Sequence, residues 1–542
     1  MELKKTVSYK DFGAVGDGQT NDMPAIIKTH EYANENGCKV VAEKGAKYYI
    51  GDTEKCAVIK TDVDFGDAEF IIDDTAEGVF AHRNVAIFEA HRDYPVISYK
   101  AEDLAKVTDD TSVKAGDKCI PWLAKILPGK SLVMIQNGAH NDYVRFGCNR
   151  DAGSPRREMI IIDTDGTVDD DVPVTFDYEK VTDVSIINAE DKPITIQGGK
   201  FRNICCRTVA ETNFKNRYCS YRRNLTILRS NVTLRNLDHG MLNEPKPTPA
   251  MSESYPYAGF LSIRSCNNVQ VYDCELAGHT TYYEDRSHIA NNPCVPMGTY
   301  GLGVNSSTHI YFENVTQKPE TLYDGRYWGI MGSSYCKCFI FKNCKLSRFD
   351  AHCGFWNTKL IDCEISKALC VIGGGELYIE NVQRTYGKNF IILRSDYGAT
   401  FRGDITLKNC KFCANQSYDS TGFDEEFAKT DERRKFDTAY IIAAQVHNGV
   451  DNRDATQNYY EWYFGYTCYM PQNVYIENLE TGAEKTYIFT DVRDTHFTKA
   501  DPKKVYQRTK KVVLKNCPED LELCVNKDGI CDLEAAIPVE KL

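Results

Sequence analysis

The chain lacks any window of 18 consecutive apolar residues, so no stretch of it reads as a membrane-spanning helix, and no membrane partner is expected. Its start, MELKKTVSYKDFG, has neither an apolar core nor a small-residue cleavage site. As written the protein is therefore expected in the cytoplasm, or outside the cell if a signal has been removed. Long basic runs are missing too, and the formal net charge is −12, which argues against non-specific nucleic-acid binding. The pairs Cys205/Cys206 and Cys336/Cys338 lack a second pair at zinc-site spacing, so no metal is predicted from them. Cysteine itself is plentiful, with 22 residues, but several stand at one repeated place, in DC, NC and DC at Cys274, Cys344 and Cys363. In a large chain without an export signal these are expected to be small buried hydrophobes rather than a disulfide framework.

What is present is a repeat. From residue 230 one phrase recurs as NVTLRNLDH, NVQVYDCEL, HIYFENVTQ, CFIFKNCKL, TKLIDCEIS, ELYIENVQR, DITLKNCKF, NVYIENLET and KVVLKNCPE. Each alternates β-branched or aromatic residues, passes an Asn or Asp, and takes a second short apolar step. The Asn/Asp positions are 236, 273, 314, 343, 362, 381, 409, 478 and 516, and their closest spacing is 19 residues. Alternation puts every second side chain inside. Asn and Asp tolerate the left-handed bend between two strands and can bond to the same residue one coil away. A third strand is expected at GFLSI, GLGVN, GIMGS, CGFWN, CVIGG and IILRS, from Gly259, Gly301, Gly329, Cys353, Cys370 and Ile391. The fold class predicted is all-β, a right-handed parallel β-helix with three strands per coil. An antiparallel β-sandwich is the alternative.

In YKDFGAVGDGQTNDMPAIIKTHEYANENG, Gly13, Gly16 and Gly18 permit tight turns, Asn21 or Asp22 can cap a helix opening near Pro24, and Ala25, Ile26, Ile27 and Tyr32 form its apolar side. At positions 11 to 22 the chain resembles the pectate-lyase-like superfamily, especially polygalacturonase-related proteins and phage tailspikes that begin with a DFGAxGDGxTDD segment. The resemblance implies that this segment and its helix cap the open end of the solenoid and take no part in catalysis. The glycines make no dinucleotide fingerprint, because no helix starts immediately after GAVGDG.

Five regions are expected: 1–81 as cap and first coils, 82–175 as a small β-rich insert packed at the solenoid's N-terminal end, 176–414 as the main β-helix, 415–470 as a loop or helical excursion, and 471–542 as the last coils and C-terminal cap.

Aligned on their glycines, the third strands place Tyr257, Thr299, Tyr327 and His352 in one outer column, where rings beside hydrogen-bonding groups suit sugars. The connections AGHTTYYEDRSHIANNPCVPMGTY, QKPETLYDGRYW and SRFDAH bring charged residues to that side. Within CKLSRFDAHCGFWN, CKL is expected to end one strand, SRFDAH to connect, and CGFWN to begin the next. Asp350 and Asp324 are candidates for the two carboxylates of glycoside hydrolysis, with Asp285 and Glu284 as substitutes and His352 as the group tuning proton transfer. Arg348, Arg326, Tyr327, Trp328, Tyr257, Tyr282 and His279 are candidates for substrate binding, the arginines toward an anionic group. Polygalacturonases keep aspartates and a histidine at such junctions within GDD and GHG motifs; this chain has neither the NTD nor the GDD pair, so Asp350 and His352 carry over by position and residue type only. The resemblance is to a polygalacturonase-related branch in which segments like YWGIMGS and LSRFDAH also occur.

A glycoside hydrolase acting on an oligo- or polysaccharide without a cofactor is the leading expectation. A polysaccharide lyase, acting on a uronate with calcium as a possible cofactor, and a non-catalytic glycan-binding or tailspike-like protein are the alternatives. The tailspike-like alternative implies a homotrimer, whereas the enzyme is expected as a monomer or homo-oligomer.

Overall fold

The computed structural model describes residues 5–142, 153–206, 221–244, 258–279, 282–285, 294–297, 300–323, 329–394, 401–416, 435–443, 468–490, 506–507, 509–524 and 537–542. The chain winds as a right-handed parallel β-helix, the hand that parallel crossover connections almost always take. Each full coil gives one strand to each of three parallel sheets. The first sheet stacks Val232–Arg235, Asn267–Tyr272, Thr308–Glu313, Lys337–Lys342, Phe355–Ile361 and Gly373–Glu380 in that order. Alternate residues of these strands, such as Val269, Val271, Ile310, Phe312, Phe339 and Phe341, fill the core, and the rings of Phe312 and Phe341 stack with centroids 4.7 Å apart.

The corner between first and second sheets is where the repeat phrase acts. All nine predicted Asn/Asp residues have positive φ, between 48° and 56°. Their amides form a ladder: Asn314 donates to Asp273, Asn343 to Asn314, Asn381 to Asp362 and Asn478 to Asn409, each at 2.7 Å. The residue after each corner turns inward, and Leu237, Cys274, Val315, Cys344, Cys363, Val382, Cys410 and Leu479 are all buried there. Cysteine thus alternates with valine and leucine at one core position, the behaviour of a small hydrophobe.

At the start, the helix Met23–Asn36 buries Ala25 and Ile26 and packs Ile27 and Tyr32 against the core. Asp22 does not cap it through its side chain. Its carboxylate instead accepts from the amides of Val15 (2.7 Å) and Gly16 (3.0 Å), which ties the glycine-rich segment to the helix start. No helix among the described residues is long and apolar enough to cross a membrane.

The antiparallel sheet of the insert is drawn from Ile97–Lys100, Ser131–Asp142, Ser154–Ile162 and Asp183–Asn188, so it begins and ends further along the chain than residues 82–175. Phe88–Ala90 belongs to the β-helix, paired with Ala57–Ile59 and Leu225–Ile227. The insert does not sit at the N-terminal end. Leu132, Met159, Ile161 and Ile187 pack on Tyr335, Cys353 and Ile372, far along the solenoid, because alternate residues of its strands are apolar on both faces. Beside this contact Lys337 of the β-helix pairs with Glu158 of the insert, both buried. Glu158 also accepts from the amide (2.8 Å) and hydroxyl (2.8 Å) of Thr175.

Most of 415–470 lies outside the described residues, but Thr438–Ala443 is a third-sheet strand between Asn389–Leu393 and Lys485–Phe489 rather than a loop or helical excursion.

Candidate active site

The segment SRFDAH is not a connection. Lys345–Cys353 is one strand that passes from the second sheet to the third, with register shifts after Leu346 and beside Ser333, and the next strand begins at Phe355. The cause is length. Only 19 residues separate Asn343 from Asp362, so this coil has none to spare for a loop; Leu346, Phe349 and Ala351 turn into the core, and Cys353, level with Ser334 after the register shift, is buried under the insert instead. CGFWN is likewise not a third strand but the corner and start of a first-sheet strand. Gly354 makes that corner at φ +61°, where a Cβ would come within 2.8 Å of the Tyr335 ring.

The expected column also changes. Tyr300 is level with Gly329, and Gly332 with Asp350, so glycines 301, 329 and 354 do not share a rung and His352 falls at the register shift. Tyr257, Thr299 and Tyr327 lie outside the described residues. The column that does form runs outward-facing through Glu89, Thr226, Ser262, Gly303, Gly332, Asp350 and Cys370. Between Glu89 and Asp350, a span of about 24 Å at the spacing of neighbouring strands, the rungs carry only small residues. Among the described residues, a Cβ placed on Gly303 would touch nothing within 4 Å. The result is a low floor on the third sheet, with Arg264, Asn305 and Ser334 forming the next outward row.

Asp350 closes one end. It is fully buried although it faces outward from the sheet. Arg348 donates to its Oδ2 from Nε (3.1 Å) and Nη2 (2.8 Å), while Arg394 donates to Oδ1. Burial opposes its charge, but the two guanidinium groups outweigh burial and hold the carboxyl well below the usual carboxylate range. An ionised carboxylate can only accept hydrogen bonds. Tyr300, whose hydroxyl is 2.9 Å from Oδ2, must therefore donate to it, and its oxygen accepts from Nε2 of His352 at 2.8 Å. Burial first, then the Asp350 charge, push the Tyr300 phenol well above its ordinary value, so the hydroxyl keeps its proton. With Tyr300 donating to Asp350, the His352 nitrogen that faces the hydroxyl, Nε2, is the one that carries the proton. The His352 side chain is 23% exposed, and Tyr300 is half-buried beside it.

The structure brings Asp350, His352 and Arg348 together, and a carboxyl held well below the usual range by two guanidinium groups suits orientation rather than proton donation. Tyr300 and Arg394 complete the cluster and were missed by sequence reasoning. Arg394 was legible as the one charged residue of IILRS, whereas nothing in GTYGLGV marks Tyr300. His279 is not at a sugar-facing surface: it is buried against Glu244 and Cys205. Asp324, Arg326, Tyr327, Trp328 and Tyr257 lie outside the described residues. Tyr282, Glu284 and Asp285 are described only as backbone, in the strand Tyr282–Asp285, paired antiparallel with Cys294–Met297.

At the other end of the floor, Glu89 holds His91 at 2.9 Å and Cys56 at 3.3 Å. Hydrogen bonding from His91, against the effect of burial, lowers its carboxyl below the usual range.

No family model matches this sequence, and no curated protein matches it. Among solved structures, the chain is similar to the tailspike gp61 of Pseudomonas phage phi297, at 11% identity and a TM-score of 0.49, over 99% of this chain and 84% of that one. It is similar to the tailspike gp49 of Pseudomonas phage LKA1, at 11% and 0.48, over 98% and 84%. A third is a hyperthermoactive exopolygalacturonase from Thermotoga maritima, at 11% and 0.30, over 99% and 91%. Likeness at this level does not extend to activity.

Proposed function

We propose that this chain is a carbohydrate-active enzyme, a glycoside hydrolase that binds an oligo- or polysaccharide along the floor between Glu89 and Asp350 and cleaves it beside His352. The observation that carries the proposal is the relay from the His352 ring through the Tyr300 hydroxyl to the Asp350 carboxylate, standing at the end of a shallow small-residue trough. A sheet corner needs no such relay for its core. In the proposed mechanism His352 Nδ1 takes a proton from the attacking water, and Tyr300 and Asp350 orient the ring and stabilise its charged form, as a buried carboxylate does behind a general base. The proton donor to the leaving oxygen must be another group, since Asp350 is held ionised; Asp324, Glu284 and Asp285 are the proposed donors.

A second reading is favoured by one observation. Arg348 and Arg394 flank a single carboxylate, so these groups sum to one positive charge beside a tyrosine, which suits a uronate and its elimination by a lyase. The two are separated by products from a panel of neutral and acidic polysaccharides. Hydrolysis gives new reducing ends alone, whereas elimination also gives an unsaturated sugar absorbing in the near ultraviolet. His352→Ala, with the fold intact by circular dichroism, is expected to abolish product formation. If no polysaccharide is cleaved and the protein is a trimer by solution mass, a glycan-binding tailspike-like role replaces the enzymatic one.

A further inference from the structure

One polar cluster belongs neither to the trough nor to the contact with the insert. Three successive coils end their second-sheet strands, at Ile194–Ile204, Asp238–Leu242 and Glu275–Leu276, and then supply Cys205, Glu244 and His279 to the same buried corner. Cys205 is 6% and His279 3% exposed, and the Glu244 side chain is 4% exposed. The Nδ1 atom of His279 is 2.9 Å from Oε1 of Glu244 and 3.9 Å from Sγ of Cys205, and the three donor atoms all lie within 4.8 Å of one another. Met241 Sδ stands 3.6 Å from the same Sγ and adds a soft wall.

We propose that Cys205, Glu244 and His279 form a zinc site that joins three coils. The donors fit the ion in type, since Zn²⁺ takes thiolate, imidazole and carboxylate together, three protein groups leaving a fourth position. Ligands held tetrahedrally at 2.0–2.3 Å stand about 3.3–3.8 Å from one another; the separations from Nδ1, 2.9 and 3.9 Å, lie on either side of that range, so an ion is taken up with side-chain shifts of a few tenths of an ångström. They fit it in charge. Thiolate and carboxylate together carry two negative charges, which one divalent cation cancels in a place where uncancelled charge is costly. A buried Glu–His pair alone accounts for two of the groups; the Cys205 thiol, which also reaches the Asn203 carbonyl at 3.8 Å, brings a third donor to the same nitrogen. The other Cys/Glu/His group, Cys56, Glu89 and His91, is half-buried, and the Arg222 cation acts on its carboxylate, which makes it the poorer cation site and a useful control.

The test is made on the full chain, loaded with zinc under reducing conditions and dialysed. One retained equivalent is expected, with a zinc-dependent rise in Tm that calcium does not produce. Cobalt in place of zinc is expected to give a thiolate charge-transfer band. Cys205→Ser and His279→Gln should each lose the retained ion, with affinity lowered at least about tenfold, while Cys56→Ser keeps it. Zinc retention and a cobalt band unchanged in Cys205→Ser would overturn the proposal. If the buried variants do not fold, the wild-type protein decides: no ion retained through dialysis, or no zinc-dependent rise in Tm, overturns it equally.

Discussion

The Tyr300 hydroxyl bridges Oδ2 of Asp350 and Nε2 of His352, at 2.9 and 2.8 Å, two coils away from its own strand's position in the third sheet. Tyr300→Phe removes both bonds and leaves the ring's packing. If the relay orients His352, this variant should lose turnover by a factor of about 10² to 10⁴, the usual worth of acid–base assistance, with KM little changed. A fall in KM affinity with kcat intact would make Tyr300 a binding residue instead.

Asp350, fully buried, is the shared counter-charge of Arg348 and Arg394. Asp350→Asn leaves both cations without their counter-charge, and a loss of about 3–5 kcal/mol is expected, measured by urea unfolding. Because the folded carboxyl is depressed, its contribution is complete above the unfolded value, near pH 4, and is lost as pH falls below it.

A different group governs milder acid. His30 and His239 are buried, and desolvation lowers each from 6.5 to about 3. Between those values the unfolded chain binds the protons that the folded chain refuses, so stability is full above pH 6.5 and declines as pH falls toward 3. Calorimetry should show Tm dropping from pH 6.5 to 4.5, before carboxylates titrate. His30→Gln, which can still bond the Tyr9 hydroxyl, should flatten that slope.

Much of this architecture was legible because it is periodic. Asn and Asp are the non-glycine residues that enter the left-handed region most readily, and that preference located nine corners in advance. The third strands were harder. They lack an obligatory corner residue, and glycines 301, 329 and 354 serve different ends, so aligning on them misplaced His352. SRFDAH looked like a loop because its charges broke the apolar alternation, yet Phe349 and Ala351 keep the inward beat and Asp350 faces out beneath two arginines. Contacts between distant segments, such as Tyr300 with His352, leave no local trace in a sequence.

The Lys337–Glu158 pair fastens the insert to the β-helix with both charges buried. Lys337→Met strands the Glu158 carboxylate and should cost about 3–5 kcal/mol, whereas Lys337→Met with Glu158→Gln should recover part of that loss. Hydrogen exchange over 97–188 reports the effect: faster exchange in the single variant than in the double is expected, and equal exchange in both would show that the apolar contact through Tyr335, Cys353 and Ile372 alone holds the insert.

The central claim is that a glycan is bound along the third sheet and cleaved beside His352. Product formation by wild type and His352→Ala on an oligosaccharide cleaved by the wild type tests it most directly. The account predicts that the folded His352→Ala protein still binds the oligosaccharide but forms no product; cleavage at the wild-type rate would contradict it.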